Sequence, residues 1–516
     1  MKASQDRSHF FRGFVVLFIG SLIGKVAGLA REVVFAAAFG SGPIASGFKS
    51  AQSSVLVSAN LVTGDVLSSA FVPAYAETRA ADPLGARRLI WGYLLGYGGA
   101  MTGVALLVFT LRRDAMSLLI PGASLQIQAL GADFLGVLAW CIPLFGVASI
   151  AGYALATTGK YTATSLRSTL QTAGLLIGTM LAVTLRQPVW LASGFVLAWL
   201  IYATWCVVLL VRFDLLGRLD ARGLPAALRV VLRNLWAVLP LAVIPAGIQI
   251  AAVVQRIIAS HGPDALIASV DYAQTLSDSL VTLVSVPLGF VGLTQMATLD
   301  EEGFKRASSR ILSSVVVIGL PLTFVVLPLT GTIVRVVYGR GNFGQEAALL
   351  TSQVAFGLFC GIAVQIVGYA LTRALTARRR NRAVLVITVS GLAAEVGVQS
   401  LALMLHAPVF IGLGVTVYGL VLTVVAARLL HLHRLLLRLA VVALPAVGVS
   451  VGVLVVPGLP VVLQLVVIAL AWALTLAVAR TYRGVIAEVI ALFRRSRSRT
   501  PTEERTCGEQ REVVRR

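Results

Sequence analysis

The chain has 516 residues, 58% of them hydrophobic and only 13% charged, with a mean hydropathy of +0.89. A water-soluble domain cannot hide that much apolar surface, so soluble globular and disordered classes are excluded and an integral membrane protein with many spans is implied. The formal net charge of +21 is explained better by Arg-rich loops on one side of a bilayer than by nucleic-acid binding.

Apolar windows of about 20 residues recur along the whole chain. They predict helices near 13–39, 45–77, 89–111, 125–157, 162–185, 189–212, 235–260, 266–298, 308–337, 348–375, 383–405, 409–430, 439–456 and 461–482. The expectation is an all-α membrane protein of about fourteen spans.

The first helix carries Lys25 and Arg31 in otherwise apolar sequence. A cation inside a membrane helix costs at least about 2.5 kcal/mol unless it faces water, a partner or an anionic ligand. Gly20, Gly24 and Gly28 form a small-residue stripe suited to close helix packing. Lys25 and Glu32 share a face, which fits a structural ion pair as well as a ligand site. Arg31 points elsewhere and is open to snorkelling. Ala36 to Ala38 superficially resembles a signal-peptidase site, but the preceding segment is too long and charged, so an uncleaved helix is expected.

The second helix is polar, with Lys49, Gln52, Ser53, Ser54, Ser58, Asn60, Thr63, Asp65, Ser68 and Ser69. So many hydrogen-bonding groups predict the wall of a wet cavity rather than a lipid-facing surface. Asp133 is expected at an interface. The longest connection, 213–234, follows the sixth helix. Helices seven and eight add Gln249, Gln255, Arg256, Asp271, Gln274, Thr275 and Asp278. Among these, Asp271 is expected near an interface and Arg256 and Asp278 deeper. In the eleventh helix Glu395 and Gln399 share a face, either as a cation or proton site or as a hydrogen-bonded pair. Helices thirteen and fourteen carry almost no charge and read as a peripheral addition. Beyond residue 483 a short apolar pattern gives way to Arg, Ser and Glu, fitting an interfacial helix and a disordered end.

Cations cluster on alternate connections: Lys2, Arg7 and Arg12; Arg79, Arg87 and Arg88; Lys160 and Arg167; Arg212 to Arg233; Lys305 to Arg310; Arg378 to Arg382; Arg428 to Arg438; and the tail. The positive-inside rule then puts both termini in the cytoplasm. The expected organisation is a six-helix lobe at 1–212, a cytoplasmic linker at 213–234, a second six-helix lobe at 235–433, two further helices at 434–483 and a basic tail at 484–516. Cys141, Cys206, Cys360 and Cys507 have no paired spacing and the five histidines are scattered, so no disulfide framework, metal site or cofactor is expected. The chain has no Walker-type phosphate loop, which argues against direct ATP drive. Candidate cavity cations are Lys25, Arg31, Lys49 and Arg256. Candidate gate or cavity acids and polar groups are Glu32, Asp65, Asp278, Asn60, Gln52 and Gln255. Buried cations point to a transporter of anionic cargo and against a cation-coupled drug antiporter. A non-transporting envelope scaffold acting through the tail stays open.

Several segments resemble the MurJ/MviN family of lipid II flippases within the multidrug/oligosaccharidyl-lipid/polysaccharide exporter superfamily. They are Gly24-Lys25-Val26-Ala27-Gly28-Leu29-Ala30-Arg31-Glu32, Phe39-Gly40-Ser41-Gly42, Ala70-Phe71-Val72-Pro73 with Glu77, Tyr272-Ala273, and Val336 to Phe343. The resemblance implies two six-helix lobes around a cationic cavity, with the last two helices forming a groove for a lipid tail. It implies a non-enzymatic flippase of a bacterial inner membrane that moves an undecaprenyl-pyrophosphate-linked sugar–peptide by alternating access. Its partners would be that lipid-linked anionic glycan and membrane lipids, with a coupling cation or the membrane potential as drive; an exporter of another lipid-linked oligosaccharide, an O-antigen or exopolysaccharide unit, is the runner-up. Lys25 and Arg31 fall on two of the family's cationic positions, and Lys for Arg keeps the charge but loses the bidentate fork. Other positions depart: Ala59 and Asn60 stand where helix-two arginines are expected, Ser46 replaces an acid, Gly64-Asp65 inverts an acidic-Gly pair, and Gln274-Thr275 replace Asp-Arg. Asp278 restores an acid one turn later, and Arg256, Lys49 and Asp65 are expected to compensate.

Overall fold

The computed structural model describes residues 24, 26–63, 65–219, 222–238, 242–296, 300–378, 380–456 and 458–478. Lys25, Gly20 and the tail at 484–516 lie outside the described residues. Throughout the described residues the secondary structure is helix joined by short turns, with no strand. Backbone groups in hydrocarbon must be satisfied within their own segment, and helices achieve this.

Nine of these helices are long and apolar enough to cross a bilayer, or ten when Gln345–Phe359 and Ile362–Thr376, bent by 49° at their junction, count together. Polar helices such as Pro43–Thr63 are not among them, and part of the first expected helix lies outside the described residues.

Several boundaries differ from the sequence expectation for local reasons. The helix expected at 45–77 corresponds to Pro43–Thr63 and Asp65–Ala81, beginning earlier at Pro43 and reaching Ala81. The helix expected from 89 begins at Pro83, where Asp82 caps it by accepting the Leu84 N–H at 2.9 Å, and it runs to Thr110 through a π turn at Tyr93–Tyr97. The helix expected at 308–337 starts earlier, at Glu301 behind an Asp300 cap, and is interrupted around Pro328 before resuming at Thr330–Tyr338. The connection at 213–234 is not all loop. It contains most of an amphipathic helix, Leu224–Val238, whose Ala227 and Val231 are buried and whose Leu232 and Trp236 are exposed.

Contacts divide the chain into two compact units. The first holds the described residues of 1–280, 330–358 and 388–418. Within it, helices Thr162–Thr184 and Val189–Arg212 approach backbone to backbone. A Cβ on Gly194 would lie 2.6 Å from the Gly178 Cα, so only glycines fit this crossing. The second unit holds 281–329, 359–387 and the described residues from Gly419 onward. Its C-terminal pair, His433–Val455 and Val461–Val478, packs Ala443, Ala446, Ile468 and Trp472 together, with Phe324 stacked 5.8 Å from Trp472. Leu463, Val466, Leu470 and Leu474 stay exposed, as on a lipid-facing helix.

Candidate functional site

Four helices of the first unit bring their polar faces to one cavity of about 310 Å³. From Pro43–Thr63 come Lys49, Gln52, Ser53, Leu56, Val57 and Asn60, spaced by three or four residues along one face. Val243–Ser260 gives Gln249, Ala252, Gln255 and Arg256, and Leu266–Met296 gives Asp271, Gln274, Thr275 and Asp278. The helix over residues 26–39 adds Arg31 and Glu32. Ser46 Oγ donates to the Asp264 carbonyl at 2.8 Å, so helices Pro43–Thr63 and Leu266–Met296 begin side by side. Lys49 and Asp271 therefore lie near that end, and Asn60 and Asp278 lie further in.

Near that end the charges pair. The buried Glu32 carboxylate accepts one hydrogen bond from Arg31 Nη2 at 2.5 Å and one from Lys49 Nζ at 2.5 Å. Two cations on one carboxylate leave this cluster with one net positive charge. The Lys49 ammonium also lies 5.0 Å from the Phe35 ring centroid and 5.7 Å from that of Tyr272, so aromatic faces supply part of the solvation it has lost. Arg256 Nη2 donates to Asp271 Oδ1 at 2.7 Å, while its buried Nε and Nη1 have no acceptor among the described residues. Arg31 Nε is likewise buried without one. Gln274 donates to Gln255 at 2.7 Å, which orients two amides on the cavity wall. Across the lining three cations face three carboxylates, but Asp278 stands seven residues beyond Asp271, about 10 Å along the helix, so positive charge predominates at the Lys49 end.

A latch closes the same end. Tyr272 Oη donates to the Gly40 carbonyl at 2.6 Å, and Tyr338 Oη donates to the Tyr272 carbonyl at 3.2 Å. Asn342 donates from its backbone to Ala37 O at 2.9 Å and from its side chain to Ala38 O at 2.6 Å. Gly40 and Gly341 both have positive φ, 58° and 60°. A Cβ on Gly341 would lie 2.2 Å from Ala37 O, so this contact requires glycine twice over. Rings of Phe35, Phe48, Tyr272, Tyr338 and Phe343 fill the space between, with centroids 5.1 to 6.5 Å apart for the contacting pairs around Tyr272 and Phe35.

The structure thus brings together Arg31, Glu32, Lys49, Gln52, Asn60, Gln255, Arg256 and Asp278. Arg31 does not point away from Glu32 as helical spacing suggested; its long side chain returns to the neighbouring carboxylate. The Asp65 side chain is outside what is described. Glu395 and Gln399 are not among the cavity-lining residues. They lie buried on Asn381–Leu405, where Gln399 donates to Glu395 at 3.1 Å and packs against Gly414. Asp271, expected to be solvated at an interface, is instead the partner of Arg256. Its spacing with Gln274, Thr275 and Asp278 on one face was the available signal.

The sequence profile described as lipid II flippase MurJ matches residues 35–484. The chain belongs to the MurJ family. A probable lipid II flippase MurJ from Rhizobium tropici is 25% identical over 370 residues, covering 67% of each chain. A solved lipid II flippase MurJ in an inward closed conformation superposes with a TM-score of 0.77 at 16% identity, over 92% of this chain and all of that one. An inward-facing multidrug resistance MATE transporter of the MOP superfamily gives 0.63 at 14% identity, over 83% of this chain and 98% of that one. The fold is therefore the all-helical MurJ and MATE transporter fold of a multi-pass membrane protein. Lys49, Arg256 and Asp271 fall inside the MurJ match, whereas Arg31 and Glu32 lie just before it.

Proposed function

We propose that this protein is a flippase that carries lipid II, an undecaprenyl-pyrophosphate-linked sugar–peptide, across the bacterial inner membrane by alternating access. The observation that carries the reading is the cluster of Arg31, Lys49 and Arg256 at the latched end of a polar cavity, with guanidinium N–H groups left unpaired. A buried donor without an acceptor costs about 1–3 kcal/mol, and a diphosphate supplies acceptors for all of them as charge-assisted bonds. The diphosphate would displace Glu32 and Asp271 from these cations. Polar groups along the inner cavity, Gln52, Asn60, Gln255 and Asp278, would meet the sugar. Lys25 and Asp65 keep the roles their sequence positions suggest, an additional cation and a gate acid.

In this reading both termini are cytoplasmic, and the latch of Gly40, Tyr272 and Asn342 faces the periplasm. The lobes at 1–212 and 235–433 rock about the cavity, with 213–234 connecting them and 434–483 supplying an apolar groove for the polyprenyl chain. Drive comes from the membrane potential or from a cation at Glu395 and Gln399, a buried carboxylate whose hydrogen-bond partner is a neutral amide. The protein works as a transporter and catalyses no covalent step.

The test is complementation of a flippase-depleted strain, with outer-leaflet lipid II measured in parallel. Arg256→Gln and Lys49→Gln are expected to abolish both at normal membrane levels of protein. Full growth and full lipid II exposure with both substitutions together would refute the assignment.

A further inference from the structure

A further cation stands apart from the cavity described above. Arg167 lies in Thr162–Thr184, and its guanidinium is 5.0 Å from the ring centroid of Trp199 on Val189–Arg212. Arg167 is five residues from Thr162, about 7.5 Å at 1.5 Å per residue, so the charge sits in the first turns of its own helix and reaches along it to Trp199. Arg167 is exposed, and among the described residues no carboxylate pairs with it.

The space beside it has the chemistry of an anion site. Arg167 borders a cavity of about 170 Å³ lined by Ser149, Gly152, Tyr153, Thr164 and Trp199 among others. Ser149, only 8% exposed, brings a hydroxyl to this space. The buried Trp199 indole N–H has no acceptor among the described residues. The lining contains a cation and an unused donor but no carboxylate. At about 30 Å³ per water the volume is that of five or six waters, enough for a phosphate or carboxylate head and too small for a disaccharide.

We propose that Arg167 and Ser149 form a second oxyanion site of phosphate size, separate from the Arg31, Lys49 and Arg256 cavity. Arg167 supplies the charge and Ser149 the hydroxyl donor, and the Trp199 ring holds the guanidinium in place. The phosphate belongs either to a membrane lipid headgroup or to a soluble anion.

Two probes on the full-length purified protein separate the sources. Inorganic phosphate is titrated calorimetrically, and retained phosphatidylglycerol is counted by native mass spectrometry against a phosphatidylcholine control. Arg167→Gln is expected to weaken binding of one or both probes by tenfold or more, and Ser149→Ala by about tenfold, the loss of one charge-assisted hydrogen bond. Arg167→Lys, which keeps the charge, is expected to retain part of the binding and so controls for misfolding. Arg256→Gln, in the other cavity, leaves this binding unchanged. Loss confined to phosphate identifies a soluble anion, and loss confined to phosphatidylglycerol identifies a lipid. Equal binding of both probes by wild type, Arg167→Gln and Ser149→Ala overturns the proposal.

Discussion

Gly341→Ala tests whether the contact between residues 37–40 and 338–343 is a latch held by backbone geometry. The new methyl carbon would lie 2.2 Å from the Ala37 carbonyl oxygen, about 1 Å inside normal contact, so the two segments must part. Parting them breaks the two hydrogen bonds from Asn342, worth about 1 kcal/mol each net. The left-handed φ of 60° adds about 1–2 kcal/mol for a residue with a Cβ. The closed arrangement should therefore lose about 3–4 kcal/mol, a population shift of roughly two to three orders of magnitude at 1.4 kcal/mol per decade. Hydrogen exchange of peptides covering 36–46 and 338–346 reads this, because the Asn342 amide is bonded to the Ala37 carbonyl only while the segments are folded together. Faster exchange confined to those peptides is expected. Gly397→Ala, where an added Cβ meets nothing within 4 Å, should exchange as wild type does. Wild-type exchange in a folded Gly341→Ala protein would refute the reasoning.

Glu32→Gln leaves two buried cations without their shared carboxylate and should cost about 3–5 kcal/mol in equilibrium unfolding. Asp271→Asn, at a more exposed pair, should cost distinctly less. Arg256→Lys keeps the charge but loses the planar fork that donates to Asp271 and still holds two free N–H groups. Lipid II exposure at the outer leaflet should fall about tenfold or more at unchanged expression. Gly194→Val forces side-chain atoms into the Gly178 backbone and should lower stability by about 1–3 kcal/mol, seen as earlier thermal aggregation in detergent.

The class of fold was legible because membrane spans announce themselves by length and apolarity alone. Within that class the sequence was most informative where it was least apolar. The polar face of Pro43–Thr63 announced the cavity wall, and Lys49, Gln52 and Asn60 do line it. The pairing of the charges was not legible. Helical spacing put Lys25, which lies outside the described residues, on the face of Glu32, but a buried carboxylate also takes the cations that the tertiary structure brings to it. Those are Arg31, the adjacent residue, and Lys49 on the next helix. The bond between Asp271 and Arg256 was hidden for the same reason, since it joins two different helices. The latch was present in the sequence as three separate motif fragments, around residues 40, 272 and 340. Only the fold shows that one tyrosine joins all three.

That tyrosine also links the latch to the charges. Tyr272 follows Asp271, the partner of Arg256, and its ring lies 5.7 Å from the Lys49 ammonium that Glu32 holds. Its hydroxyl donates to Gly40, whose conformation sets the approach of residues 37–40 to Asn342. A group that draws Lys49 or Arg256 away from Glu32 or Asp271 thus acts on residues within one or two bonds of the latch. Helices with wholly apolar faces could not transmit such a change, because dispersion contacts are nondirectional and yield to small shifts. Hydrogen bonds and ion pairs switch between discrete partners, and they lie on the polar faces that set helices such as Pro43–Thr63 apart from wholly apolar spans. The sequence features that cost the protein apolar burial are therefore the ones that make cargo charge and closure interdependent.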